Sequence, residues 1–174
     1  MSDSEDEQIA WAGKWITAKR RGKWEYVSRA RGIRAVVIVA IDDQDRVLLI
    51  DQPRVPLGRH CLELPAGLIG DDIDGDTVEA AAIRELDEET GYAADRIEEI
   101  GAFHSSPGMV TESFTLVRAY GLRKIGEGGG VSGEDITVHH VPMAEVPAFV
   151  AAKRAEGMAI DVKILLLLAS TILA

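Results

Sequence analysis

Apolar positions along the chain fall into short β-type runs and a few helical stretches, punctuated by glycine, proline and aspartate. Ile33 to Ile41 is dense in β-branched side chains, which pack well on a pleated surface, and predicts a strand buried on both faces. Asp42-Asp43-Gln44-Asp45 reads as a turn, and Arg46 to Asp51 as the returning strand. Pro53, Pro56 and Gly58 mark a loop, Cys61 to Leu64 a short strand halted by Pro65, and residues 67–76 a loop rich in glycine and aspartate. Helical spacing runs from about Thr77 to Thr90, with Asp76 placed to cap the amino end and Gly91 to close the carboxyl end. Ile97–His104 and Ser113–Leu122 predict two further strands, joined by a loop over 105–112. Gly126 to Gly133 predicts a flexible segment, Ile136–Val141 a strand, and 143–155 and 160–173 two closing helices. Near the start, Trp15–Ala18 and Trp24–Ser28 flank the basic turn Lys19-Arg20-Arg21-Gly22-Lys23, a hairpin pattern.

A length of 174 residues suits one compact domain with an appendage. The expected division is an acidic, disordered start over 1–8, a hairpin over 9–31, and the main domain over 32–174. The net charge of −10 argues against nucleic acid and against an anionic membrane surface as partner, since both would be repelled. The acidic start lacks the basic and apolar character of a signal sequence, and the apolar run Ile164–Ala174 is too short to span a bilayer, so a cytoplasmic protein is expected. Cys61 is the single cysteine, which excludes an intramolecular disulfide and a cysteine zinc cluster.

The most informative stretch is Arg84-Glu85-Leu86-Asp87-Glu88-Glu89-Thr90-Gly91-Tyr92. On a helix, Glu85, Glu88 and Glu89 stand at i, i+3 and i+4, so three carboxylates share one face. Each like-charged pair costs about 0.2–0.5 kcal/mol, and the carboxyl end of a helix favours cations instead. Ala80, Ala81, Ala82, Ile83 and Leu86 mark the same helix as partly buried, and Arg84 is spaced to meet Glu88. Oxygen ligands without histidine or cysteine are what Mg²⁺ or Mn²⁺ prefers. Such ions would also let an acidic protein hold an anionic substrate.

This segment resembles the Nudix box, Gly-x5-Glu-x7-Arg-Glu-U-x-Glu-Glu-x-Gly-U with U a bulky apolar residue. Arg84, Glu85, Leu86, Glu88, Glu89, Gly91 and Tyr92 stand in place. From Gln52 to Tyr92, and more loosely throughout, the chain is similar to the ADP-ribose pyrophosphatase branch of that family. Two departures appear: Asp76 replaces the first glutamate, and three extra residues separate it from Gly67, the glycine of Pro65-Ala66-Gly67. The resemblance implies an α+β fold, an α/β/α sandwich with a mixed, curved sheet, here preceded by the hairpin.

It also implies roles. Glu85 and Glu89 would bind metal directly with the Ala66 carbonyl, Glu88 would be a ligand or orient one, Glu63 would be an acidic neighbour, and Arg84 would hold the carboxylates in register. In this branch the general base comes from a later loop, and Glu112 and Glu134 are both candidates. The mobility expected of 126–133 favours Glu134. Arg54 would contact a phosphate or the terminal ribose, and Arg29 the substrate as well. Trp15 and Trp24, with Glu25, resemble segments that sandwich adenine between subunits of a homodimer. Pro107 stands sixteen residues after Gly91, as in ADP-ribose pyrophosphatases, which brings Gly108 and Met109 into the substrate-binding set.

The implied reaction is hydrolysis of a nucleoside diphosphate sugar, ADP-ribose first, with Mg²⁺ or Mn²⁺. GDP-mannose, another sugar nucleotide or a dinucleotide is the nearest alternative, and a non-catalytic ligand sensor the more distant one. The four histidines carry little of this: His139 and His140 alternate faces on a strand, and His60 and His104 have no partner at ligand spacing.

Overall fold

The computed structural model describes residues 6–30, 33–70 and 75–168. Along them run β1 (Gln8–Ala12), β2 (Ile16–Arg21), β3 (Trp24–Arg29), β4 (Arg34–Ala40), β5 (Arg46–Arg54), β6 (Arg59–Glu63) and β7 (Ala66–Ile69). Helix α1 (Val78–Thr90) follows, then β8 (Tyr92–Ala93), β9 (Arg96–His104), β10 (Ser113–Tyr120), β11 (Arg123–Lys124), β12 (Thr137–Pro142), α2 (Val146–Ala155) and β13 (Ala159–Ile160).

The β-branched run is the interior strand that its composition predicts. β4 pairs in parallel with β10 and antiparallel with β7, giving a mixed sheet ordered β7-β4-β10-β9. A second mixed sheet, β12-β5-β6-β13, lies beside it, with β13 parallel to β6. Alternation along β4 and β5 then builds two cores. Val36, Ile38 and Leu48 pack with Ala81, Ala82 and Leu86 of α1 on one face. Val37, Val39 and Leu49 pack with Val146 of α2, Ile164 and Leu167 on the other. This is the expected α/β/α sandwich. Each fully buried aliphatic side chain contributes about 1.5–3 kcal/mol, and the paired cores hold the strand ends on which the site is built.

Several elements differ from expectation. The amino-terminal hairpin is a three-stranded sheet, because Gln8–Ala12 adds to β2, so Gln8 belongs to a strand while residues 1–5 lie outside the described residues. Thr77, not Asp76, caps α1: its hydroxyl accepts the Ala80 N–H at 3.1 Å. β5 continues through Pro53 to Arg54, and the stretch after Pro65 begins as strand β7. In place of a closing helix from 160, the chain makes β13 and then a 3-10 segment over Val162–Leu168, the rest of the expected helix lying outside the described residues.

The amino-terminal sheet is tied to the main domain by backbone bonds. Val27 N–H donates to the Met109 carbonyl and Thr111 N–H to the Val27 carbonyl, both at 2.9 Å. Among the described residues no helix is long and apolar enough to cross a membrane.

Candidate active site

Helix α1 turns Ala81, Ala82 and Leu86 into the core and leaves Ala80 and Ile83 exposed, which aims Glu85 and Glu89 toward β7. The backbone of Gly67 lies directly against Glu85: a β-carbon there would sit 1.9 Å from the Glu85 carboxyl carbon. That close approach leaves no room for a side chain at position 67. Ala66 N–H donates to Glu89 Oε2 at 2.9 Å, so β7 also holds the second carboxylate. Glu89 is only 5% exposed. Burial pushes its carboxyl up to about 8, with Glu85 and Glu134 adding to the rise against the Ala66 amide and Arg54.

Arg84 fixes this arrangement from the helix. It pairs with Glu85 at 2.6 Å, donates to the Leu68 carbonyl at 3.2 Å, and pairs with Asp76 at 3.2 Å. Asp76 therefore does its work as an acceptor for Arg84, not as a helix cap. Glu88, the partner that helical spacing suggests for Arg84, stands 3.9 Å from it and is more exposed.

Across from the helix, Arg54 makes a two-pronged pair with Glu63 at 2.7 and 2.6 Å. Arg29 reaches in from β3 to pair with Glu112. A cleft of about 750 Å³ gathers these groups: Glu63, Ala66, Glu85, Glu89, Arg29, Arg54, Glu112 and Glu134 all line it. Trp15, Glu25, Met109, Arg84 and Glu88 do not line it. Trp24 and Gly108 meet instead in a separate hollow of about 420 Å³ beside Pro107 and Tyr26. Both indoles stand out in solvent, Trp15 at 50% and Trp24 at 58% exposure.

The glycine-rich segment is anchored where mobility was expected. Gly129 N–H donates to the Glu89 carbonyl and Gly130 N–H to the Glu88 carbonyl, each at 2.9 Å. Ile125 and Gly126 both donate to Gly91, whose φ of 73° ends the helix. The segment thus satisfies the free carbonyls at the end of α1. It sets Glu134 at the cleft, where the Glu134 carboxylate accepts the Val131 N–H at 3.0 Å.

Two groups escaped the sequence reading. Asp161 and Lys163 line the cleft from the segment expected to be a helix. Asp51 collects His60 and His139 from neighbouring strands, the second of them 88 residues away in sequence. Cys61 also faces the cleft, but burial and then Glu63 push its thiol up to about 12, which keeps it protonated and inert.

As positioned, no three acidic, imidazole or thiol groups among the described residues stand close enough to grip one ion. The donor set is nonetheless all oxygen, and Glu89 is crowded by Glu85 and Glu134, a repulsion that a divalent cation relieves. Glu85 and Glu89, with Glu63 once released by Arg54, are the residues that fit such an ion.

A family model described as the NUDIX domain matches residues 31–159. An ADP-ribose pyrophosphatase of Bacillus subtilis is 41% identical over 78 residues, 45% of this chain and 40% of that protein. A GDP-mannose pyrophosphatase of Yersinia pestis is 35% identical over 132 residues, 71% of this chain and 65% of that one. The chain thus spans less than two thirds of the length of these curated relatives. Among solved structures, one titled as an ADP compounds hydrolase superposes with a TM-score of 0.71 at 22% identity, covering 96% of this chain and 91% of that one.

Proposed function

The chain belongs to the Nudix family, and we propose that it hydrolyses the diphosphate of a nucleoside diphosphate sugar, ADP-ribose to AMP and ribose 5-phosphate, with Mg²⁺ or Mn²⁺. The observation that carries this is the meeting of Glu85, Glu89, Glu63 and Glu134 with Arg29 and Arg54 around one cleft. Carboxylates for cations and guanidinium groups for phosphates are the two charge types a diphosphate needs.

Glu85 and Glu89 hold the metal, with Glu63 and the Ala66 carbonyl as further oxygen donors and Glu88 orienting from the helix edge. Bound there, a divalent ion would neutralise phosphate charge and lower the pKa of water. Arg84 keeps Glu85 in place through its bonds to Leu68 and Asp76. Glu134 takes the proton of the attacking water: it follows the glycine segment and lines the cleft with Glu85 and Glu89. Glu112 is occupied by Arg29, so we assign it the positioning of that arginine. Arg29 and Arg54 bind the phosphates, Arg29 while held by Glu112 and Arg54 in exchange for Glu63.

We assign base stacking to the exposed Trp15 and Trp24; neither lines this cleft, and in this reading a second copy of the chain brings them to it. Glu25, Gly108 and Met109 complete that base site in the proposed homodimer. Cytoplasmic placement fits the acidic chain, with its net charge of −10.

Cleavage of ADP-ribose by the purified protein tests this. AMP should appear with Mg²⁺ present, stop on chelation, and be absent in Glu89→Gln. The similarity to the Yersinia GDP-mannose pyrophosphatase supports a second reading, and a panel of sugar nucleotides would separate the two by kcat/KM.

A further inference from the structure

The carboxyl-terminal strap places a charged pair in the cleft that none of the roles above uses. Leu62 accepts the Asp161 N–H at 2.9 Å, which fixes the strap to β6. Asp161 Oδ1 then accepts the Lys163 N–H at 2.7 Å, while Oδ2 pairs with the Lys163 ammonium. The ammonium lies 5.7 Å from the centre of the Phe114 ring, and all three residues line the cleft.

This pair is costly for structure alone. The Lys163 and Asp161 side chains are 18% and 15% exposed, so both charges lose hydration. For charges so covered, the loss of hydration can exceed what their attraction returns. Asp161 engages one of the three ammonium N–H donors, leaving donors beside a carboxylate that is itself an acceptor. A donor and an acceptor side by side, over an aromatic face, match a vicinal diol, since each hydroxyl both gives and accepts a hydrogen bond. Phe114 is on β10, two strands from the β7 backbone that holds Glu89. At about 4.8 Å per strand the two backbones are roughly 10 Å apart with β4 between them, so the pair and Glu89 are held by one sheet.

We infer that Lys163 and Asp161 bind the vicinal hydroxyls of a ribose ring in the substrate. This rests on the hydrolase reading for its substrate class. A ribose occurs on both sides of the diphosphate, and the two products separate them: AMP carries one ring and ribose 5-phosphate the other.

The test is calorimetric binding of AMP and of ribose 5-phosphate to the wild-type protein, Lys163→Met and Lys163→Arg, with Mg²⁺ present. Methionine keeps the stem over Phe114 and removes the donors. Lys163→Met should weaken one product by roughly 10-fold or more and leave the other unchanged. Lys163→Arg should restore most of the loss. The matching 2-deoxy ligand should bind the wild type as weakly as its parent binds Lys163→Met. Equal binding of both products to wild type and Lys163→Met, parallel weakening of both, or no binding of either to the wild type overturns the inference. If ADP-ribose is not cleaved but lysine-dependent binding persists, the hydrolase reading falls and this one stands.

Discussion

Nε2 of His139 lies 2.6 Å from Asp51 Oδ2, while Nδ1 of His60 lies 2.8 Å from the other oxygen, so one buried carboxylate ties β12 and β6 to the strand between them. Burial would raise the Asp51 acid, but the bonds to His139 and then His60 outweigh it and hold it below the ordinary aspartate value. A carboxylate depressed on folding stabilises above its unfolded pKa and loses that contribution as pH falls through its folded one. Asp51→Asn should therefore cost about 1–3 kcal/mol near pH 7. The gap should close as the pH drops below about 4. Urea midpoints of both proteins across that range check it, and a constant gap would contradict it.

Gly67→Ala should act on function through Glu85, because its new β-carbon has no room beside that carboxyl group. Activity and Mn²⁺ affinity should fall by roughly 10–100-fold, as when a group that orients a metal ligand is lost. Titration with Mn²⁺ followed by electron paramagnetic resonance measures the affinity directly. Gly70→Ala, whose added carbon meets nothing within 4 Å, is the control for a small residue in the same loop, although its φ of 79° carries some backbone strain.

Glu89→Gln should separate activity from stability. In metal-free protein Glu89 holds its proton up to about pH 8, well above the unfolded value of 4.5. Between those values the unfolded chain has lost a proton that the folded one keeps, so stability declines as pH rises. Glutamine does not titrate and can still accept the Ala66 N–H. The metal-free variant should accordingly gain on the wild type from about pH 4.5 to 8, while its turnover vanishes. Thermal melts with chelator at pH 6 and pH 8.5 are the measurement.

Glu134→Gln and Glu112→Gln should differ in kind. Loss of a general base costs about 10²–10⁴ in rate, so Glu134→Gln should lower kcat with little effect on KM. Glu112→Gln removes the partner of Arg29 and should chiefly raise KM. Steady-state kinetics on both variants decides it, and the reverse pattern would exchange the two roles.

Features that depend on local spacing were legible in the chain before it folded. The β-branched run became β4 between two cores, and Arg84, Glu85, Glu88 and Glu89 shared one helix because a 3.6-residue repeat allows nothing else. Pairings across long separations were decided only in three dimensions. Asp76 was available as a helix cap by its position, yet it turned to Arg84, because a guanidinium eight residues away is a stronger partner than a backbone amide. The glycines over 126–133 suggested freedom until the end of α1 supplied carbonyls for their N–H groups. Asp161 and Lys163 carry no motif and reach the cleft because β13 runs parallel to β6, a register set by sheet assembly and not by neighbours in the chain. Local chemistry wrote the acidic helix, and packing chose which carboxylates, guanidinium groups and ammonium group would face one another across the cleft.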